Sequence, residues 1–101
     1  MGDVRINIRP AARSANIEAL YVIVNDSFID MSTSDCKPKF KKIKKGKASF
    51  SAILVRNDGS SEAATACLEV KCGERVLLAD FTLEVPADQE LARKSTSFDA
   101  D

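Results

Sequence analysis

The 101-residue chain has no histidine and no tryptophan, and it has few glycines and cysteines. Without histidine it can form neither a Ser-His-Asp nor a Cys-His catalytic arrangement, and it lacks the most common metal ligand. Its four glycines are isolated from one another, so no glycine-rich loop is available to cradle a phosphate. The composition therefore predicts a protein that is not an enzyme and that holds no metal or other cofactor.

The three cysteines, Cys36, Cys67 and Cys72, are an odd number and contain no Cys-x-x-Cys pair. Cys67 and Cys72 lie five residues apart in a predicted strand, which places them on opposite faces and about 16 Å apart, too far for a disulfide. The pattern predicts reduced thiols, with a bridge from Cys36 to one of the other two as the alternative.

Long hydrophobic runs are also absent. The longest apolar run, "ALYVIV" (Ala19 to Val24), is the length of a strand and far short of the ~20 residues that span a bilayer. The first 14 residues contain no apolar segment of the kind found in signal peptides. We therefore expect a protein without a membrane partner, located in the cytoplasm or within an assembled particle.

Alternation of apolar and polar residues predicts three strands in the second half of the chain, over residues 47–57, 62–72 and 75–85. Turn sequences separate them, "NDGSS" at 57–61 and "CGER" around Gly73. Because the connections are short, we expect the three strands to form an antiparallel meander.

The first third predicts further strands. Residues 3–9 alternate strictly, and residues 17–26 read as a strand buried on both faces, with Tyr21 among the core aromatics beside Phe50 and Phe81. Residues 39–43 suggest an edge strand. Six or seven strands within residues 1–86 predict an all-β domain, a small antiparallel sandwich of immunoglobulin-like type or a small barrel.

Residues 87–101 have a different composition. "ADQELARK" contains good helix formers for about two turns, and "STSFDAD" is polar. We expect a short helical or disordered C-terminal tail. Its apolar residue and its acidic residues form a candidate docking element: Asp88, Glu90, Phe98, Asp99 and Asp101.

Charge is segregated along the chain although the formal net charge is zero. Residues 36–57 carry eight basic and no acidic side chains, whereas residues 58–101 carry four basic and ten acidic ones. The run "KPKFKKIKKGK" accounts for most of the basic charge. Its candidate contact residues are Lys37, Lys39, Phe40, Lys41, Lys42, Lys44, Lys45 and Lys47.

Three functional hypotheses follow. The first is a non-enzymatic module for protein–protein contact or assembly, by analogy an accessory component of a particle or filament, with the lysine run and the acidic tail as its two contact surfaces. The alternative is sequence-tolerant nucleic-acid binding, in which the lysines contact phosphates and Phe40 stacks on a base. The third is a small regulatory protein that masks a partner's active site. A fourth interpretation needs no ligand, because lysines on an edge strand prevent edge-to-edge aggregation.

Overall fold

The computed structural model describes residues 2–33 and 36–101, and this part of the chain contains eight β-strands and no helix. The strands form two four-stranded sheets, a first sheet ordered β4-β1-β6-β7 and a second sheet ordered β3-β2-β5-β8. The bounds are β1 (Asp3–Arg13), β2 (Ile17–Val24), β3 (Ser27–Asp30), β4 (Lys39–Lys44), β5 (Gly46–Arg56), β6 (Ala64–Cys72), β7 (Arg75–Val85) and β8 (Leu91–Ala100). The predicted small antiparallel β-sandwich is confirmed, with eight strands rather than six or seven.

The chain folds as two Greek keys. In the first key, the β2–β3 hairpin lies in the second sheet while β1 pairs with β4 in the first. In the second key, the β6–β7 hairpin lies in the first sheet while β5 pairs with β8 in the second. The β1–β6 and β2–β5 ladders join the keys, one ladder in each sheet. This order differs from that of immunoglobulin domains, in which strands A, B, E and D form one sheet and C, F and G the other.

The predicted meander over residues 47–85 is wrong in its pairing. β6 and β7 do form a hairpin, but β5 lies in the opposite sheet between β2 and β8. The predicted inward faces of β5 and β6 are both buried, since each faces the common core from its own sheet. Alternation identifies a strand's buried face, but it does not distinguish a neighbour in the same sheet from a partner across the core.

Phe50 lies at the centre of the core between the sheets. Its ring meets Phe81 edge-on, with centroids 5.1 Å apart, and Phe98 at 6.1 Å. The prediction that Tyr21 also points inward is wrong. Leu20 and Val22, on either side of it, are fully buried, so Tyr21 lies on the outer face of the second sheet, and β2 is buried on one face only.

The prediction of a helical or disordered C-terminal tail is wrong as well. Residues 91–100 form β8, which pairs with β5 along its whole length from Val55↔Leu91 to Gly46↔Ala100. Phe98 and Ala100 are buried among the core residues. The helix propensity of residues 87–94 is weak, and burial of the apolar side chains of β8 outweighs it.

Side-chain hydrogen bonds fasten the connections that cross between the sheets at one end of the sandwich. Asn16 Nδ2 donates to Ser60 Oγ and to the backbone carbonyls of residues 62 and 63. Arg56 donates to the carbonyls of residues 57, 60 and 89, and Arg13 donates to those of residues 31–33. These bonds satisfy backbone carbonyls that no strand partner reaches. This end is therefore closed by specific polar contacts, whereas the opposite end carries the lysine run.

Replacing Phe98 tests whether β8 belongs to the folded core. We expect Phe98→Ala to lower the free energy of unfolding by about 3–5 kcal/mol, because it removes a buried ring from the aromatic cluster. The matched control is Ser97→Ala, an exposed position on the same strand, with an expected change within about 0.5 kcal/mol. Urea denaturation followed by circular dichroism measures both, and equal stabilities for the two variants would show that residues 91–100 lie outside the cooperative unit.

Candidate functional site

The lysine run occupies the edge of the first sheet and the bend that follows it. β4 pairs with β1 on one side only, and the chain then passes directly from Lys44 through Lys45 into β5 of the second sheet. Gly46 adopts a φ of 118°, a backbone conformation that favours glycine. The lysines therefore surround a single sharp bend between the two sheets.

Strand alternation divides the lysines of β4 between two faces. Lys39 and Lys41 lie opposite the buried residues Ile8 and Ile6, so they point toward the interior side at the open edge of the sandwich. Inward-pointing charge on an edge strand is a known protection against pairing with another sheet. Protection of the edge therefore accounts for Lys39 without a ligand, whereas Lys41 also lines a groove.

The outer face of β4 carries Phe40, Lys42 and Lys44, and β1 adds arginine beside them. The Arg5 guanidinium carbon lies 4.3 Å from the centroid of the Phe40 ring, a cation–π geometry. The Phe40 side chain is 53% exposed, so the ring remains accessible. The lysine run itself contains no arginine. Alternation in residues 3–9 predicts that Arg5 lies on a solvent-exposed face, but the sequence does not show which residues lie next to it. The pairing of β1 with β4 places Arg5 beside Phe40.

Positive charge on this face is only partly balanced, since Asp3 is the one carboxylate opposite β4, in register with Lys44. Arg5 lies directly opposite Lys42 in the β1–β4 ladder, and like charges opposite each other destabilise a sheet. Glu69 lies 3.1 Å from Arg9 and 3.7 Å from Lys71, so it compensates the neighbouring cations. Within residues 2–33 and 36–101, no ion pair links Arg5 or Lys42 to a carboxylate.

A groove of about 600 Å³ opens between the β4 edge and the β2–β3 turn. None of its lining residues, all in the described part of the chain, is acidic. They are five lysines and four other residues: Lys41, Lys42, Lys44, Lys45 and Lys47, with Val24, Asn25, Ser27 and Ile43. Two of these lysines have a carboxylate as register partner, Lys44 with Asp3 and Lys47 with Asp99. The five ammonium groups around the groove still repel one another, and a bound anion would relieve that repulsion.

The β2–β3 turn forms the far wall of this groove. Asn25 and Asp26 have φ values of 47° and 69°, as a two-residue type I′ hairpin turn requires. Asn25 Oδ1 accepts a hydrogen bond of 2.9 Å from the Ser49 amide, which ties the turn to β5 just beyond the bend. The Asn25 amide also donates to the Ser49 carbonyl, so two hydrogen bonds hold this wall against β5. We call the groove lysines together with Arg5 and Phe40 the basic surface.

The remaining predicted contact residues are placed elsewhere. Lys37 is exposed ahead of β4. Asp88 and Glu90 lie in the loop before β8, whereas Asp99 and Asp101 lie at the opposite end of that strand, about 30 Å away along its length. Phe98 is 6% exposed and contributes to the core. The predicted tail residues therefore do not form one docking surface.

The rest of the described chain offers little else for chemistry. The three cysteines are free thiols. Within the described ranges, no three His, Cys, Asp or Glu side chains are grouped to hold a metal ion. No helix in that part of the chain is long and apolar enough to cross a membrane.

Neither the protein-family models, the curated proteins nor the solved structures contain a match to this chain. Its class is therefore defined by its own geometry. It is a two-Greek-key β-sandwich with a lysine-lined groove at one sheet edge.

The unbalanced charge between Arg5 and Lys42 gives a stability prediction. We expect Lys42→Glu to raise the free energy of unfolding by about 0.5–1 kcal/mol at low salt, because a carboxylate at position 42 would face Arg5 across the ladder. The matched control is Lys71→Glu in the same sheet, which should destabilise because it places a second carboxylate beside Glu69.

Urea denaturation at low and high salt measures both changes, and added salt should shrink each of them. A destabilised Lys42→Glu variant would show that the cross-strand repulsion is not significant in the native state.

Proposed function

We propose that the protein binds single-stranded nucleic acid, with little sequence preference, at the basic surface. One observation carries this proposal: five of the nine residues that line one groove are lysines, and none of the nine is acidic. Each lysine that neutralises a phosphate releases condensed counterions, which favours binding and makes it dependent on salt. A surface kept basic against its own repulsion is better explained by an anionic ligand than by solubility alone.

Phe40 favours a nucleic acid over other anions. An exposed ring beside cationic side chains is the combination that sequence-tolerant single-strand binders use, with bases stacking on the ring while cations follow the backbone. Arg5 already lies against one face of the Phe40 ring, so a base would stack on the other face. A duplex is a less suitable ligand, because its bases are already stacked on one another and are not free to stack on the exposed Phe40 ring.

The assembly hypothesis needs a different surface from the one the sequence suggested. The lysine run could contact an acidic protein, but the acidic tail of another copy does not offer a compact partner, since its carboxylates are divided between the two ends of β8. An acidic protein surface therefore stands as the competing ligand for the same lysines. The contribution of Phe40 to binding distinguishes a nucleic acid from an acidic protein as the ligand.

The lysine contribution is tested with a labelled oligothymidine and fluorescence anisotropy across a salt series. We expect the combined reversal of Lys41, Lys42, Lys44 and Lys45 to Glu to abolish binding. Single Gln substitutions at these positions should each weaken binding and reduce the slope of log K against log salt by about 0.7 for each phosphate that is no longer neutralised. Arg93→Gln, at an exposed position on β8 whose register partner is Ile53 rather than a groove residue, is the matched control. Binding that survives the fourfold reversal would rule out this site.

The stacking role of Phe40 has its own test. We expect Phe40→Ala to weaken oligothymidine binding by about 5- to 150-fold while leaving the salt slope unchanged, because the substitution removes stacking and leaves every phosphate-binding lysine in place. Val76→Ala is the control, since Val76 is also about half exposed (49%) and belongs to the same sheet.

Polyphosphate, an anion without bases, should bind Phe40→Ala as well as it binds the unmodified protein. Equal loss of affinity for both anions, or no loss for either, would argue against base stacking and in favour of an acidic protein partner.

A further inference from the structure

The outer face of the second sheet carries an apolar stripe that the core does not use. Phe28 and Leu91 at its two ends are 62% and 50% exposed, and Tyr21 lies beside Phe28 with ring centroids 5.0 Å apart. The register places the stripe diagonally across all four strands. Its members are Phe28, Ile23, Tyr21, Ile53, Val55 and Leu91.

One row of side chains across this face has opposite charges at its two ends. Asp30 on β3 is the register partner of Tyr21 on β2; Tyr21 pairs with Ile53 on β5, and Ile53 pairs with Arg93 on β8. The row therefore runs from an exposed carboxylate at one edge, through two apolar side chains, to an exposed guanidinium at the other edge.

We propose that this face binds the same face of a second copy of the chain. A two-fold axis parallel to the strands, running between β2 and β5, turns the second sheet over so that its β8 lies above β3 of the first copy. Arg93 of each copy then faces Asp30 of the other, and Tyr21 faces Ile53. Face-to-face packing of two sheets at about 10 Å allows these side chains to meet.

Charge complementarity selects a second copy as the occupant. The Asp30–Arg93 contact would form twice in the dimer, once at each edge, and each contact matches opposite charges across an apolar centre. Asp30 is held in its charged form, because hydrogen bonds from the Ser32 side chain and the Ser32 amide lower the pKa of its carboxyl group.

Pairing through strand edges is a less favourable route to assembly. Lys94 lies on the edge strand β8, and its Nζ donates a hydrogen bond of 2.9 Å to the Thr82 carbonyl of the edge strand β7. The same Nζ lies 5.0 Å from the centroid of the Phe81 ring. Lys39 and Lys41 protect the β4 edge in a comparable way. The face of the second sheet, by contrast, has no such charge over its apolar stripe.

The size of this face predicts a weak dimer. With strands about 4.8 Å apart and side chains on one face about 6.8 Å apart, the four strands and three rows of side chains that include the stripe cover about 400 Å² of each copy. Two copies would bury about 800 Å², which is below the ~1,200 Å² of stable complexes. Association should therefore depend on concentration and be measured over a wide range of it.

Tyr21 is a built-in probe, because it is the only tyrosine and the chain has no tryptophan. Sedimentation equilibrium and Tyr21 fluorescence, on protein freed of nucleic acid, should both report a monomer–dimer equilibrium. We expect Asp30→Arg alone and Arg93→Asp alone to weaken association about tenfold or more, since each places like charges together. Circular dichroism and urea denaturation establish that each variant is folded.

Mixing the two variants is the decisive measurement. Asp30→Arg combined with Arg93→Asp restores both opposite-charge contacts in a mixed dimer, so association should return to within about threefold of the unmodified protein. The matched control is a charge reversal outside the proposed interface: Glu84→Arg, on the outer face of the first sheet, should leave association unchanged. Monomer at every concentration, or folded variants that fail to associate when mixed, would overturn the proposal.

Discussion

The bend at Lys45 and Gly46 is the constraint on which the rest of the structure depends. A single residue separates β4 at the edge of the first sheet from β5 near the middle of the second, and Gly46 supplies the positive φ that this change of direction requires. Because of the bend, Phe50 reaches the centre of the core only a few residues after the lysines. The same bend turns a linear run of charge into a groove with lysines on several sides.

The two sheets present outer faces of opposite character. Around β1 and β4 the first sheet is mainly cationic: Arg5 and Lys42 lie opposite each other and form no ion pair in the described chain, and Asp3 lies opposite Lys44. The second sheet is apolar along its diagonal stripe and carries single charges at its edges. Native proteins commonly give up stability where they bind, and both faces depart from what stability alone would select.

Sequence patterns are sufficient for the sandwich and for most strand bounds, because alternation reports directly on one-sided burial. They do not show which strands pair with one another. Phe50 and Leu68 alternate alike, yet their strands lie in different sheets, and only the fold places Arg5 beside Phe40. Phe98 escapes prediction since the polar residues of 93–97 conceal an edge strand with few inward apolar side chains. The lysine groove can be predicted in charge but not in shape, because β4 and the β2–β3 turn are far apart along the chain.

The two Greek keys also bear on how the chain reaches this state. Each sheet takes two strands from each key, and its central seam, β1–β6 or β2–β5, joins residues from opposite halves of the sequence. Neither half can complete a sheet by itself, and isolated two-stranded ribbons are marginal in water. The halves are therefore not separable folding units. Folding must wait for long-range seams to close together, which predicts slow, highly cooperative kinetics despite the small size of the chain.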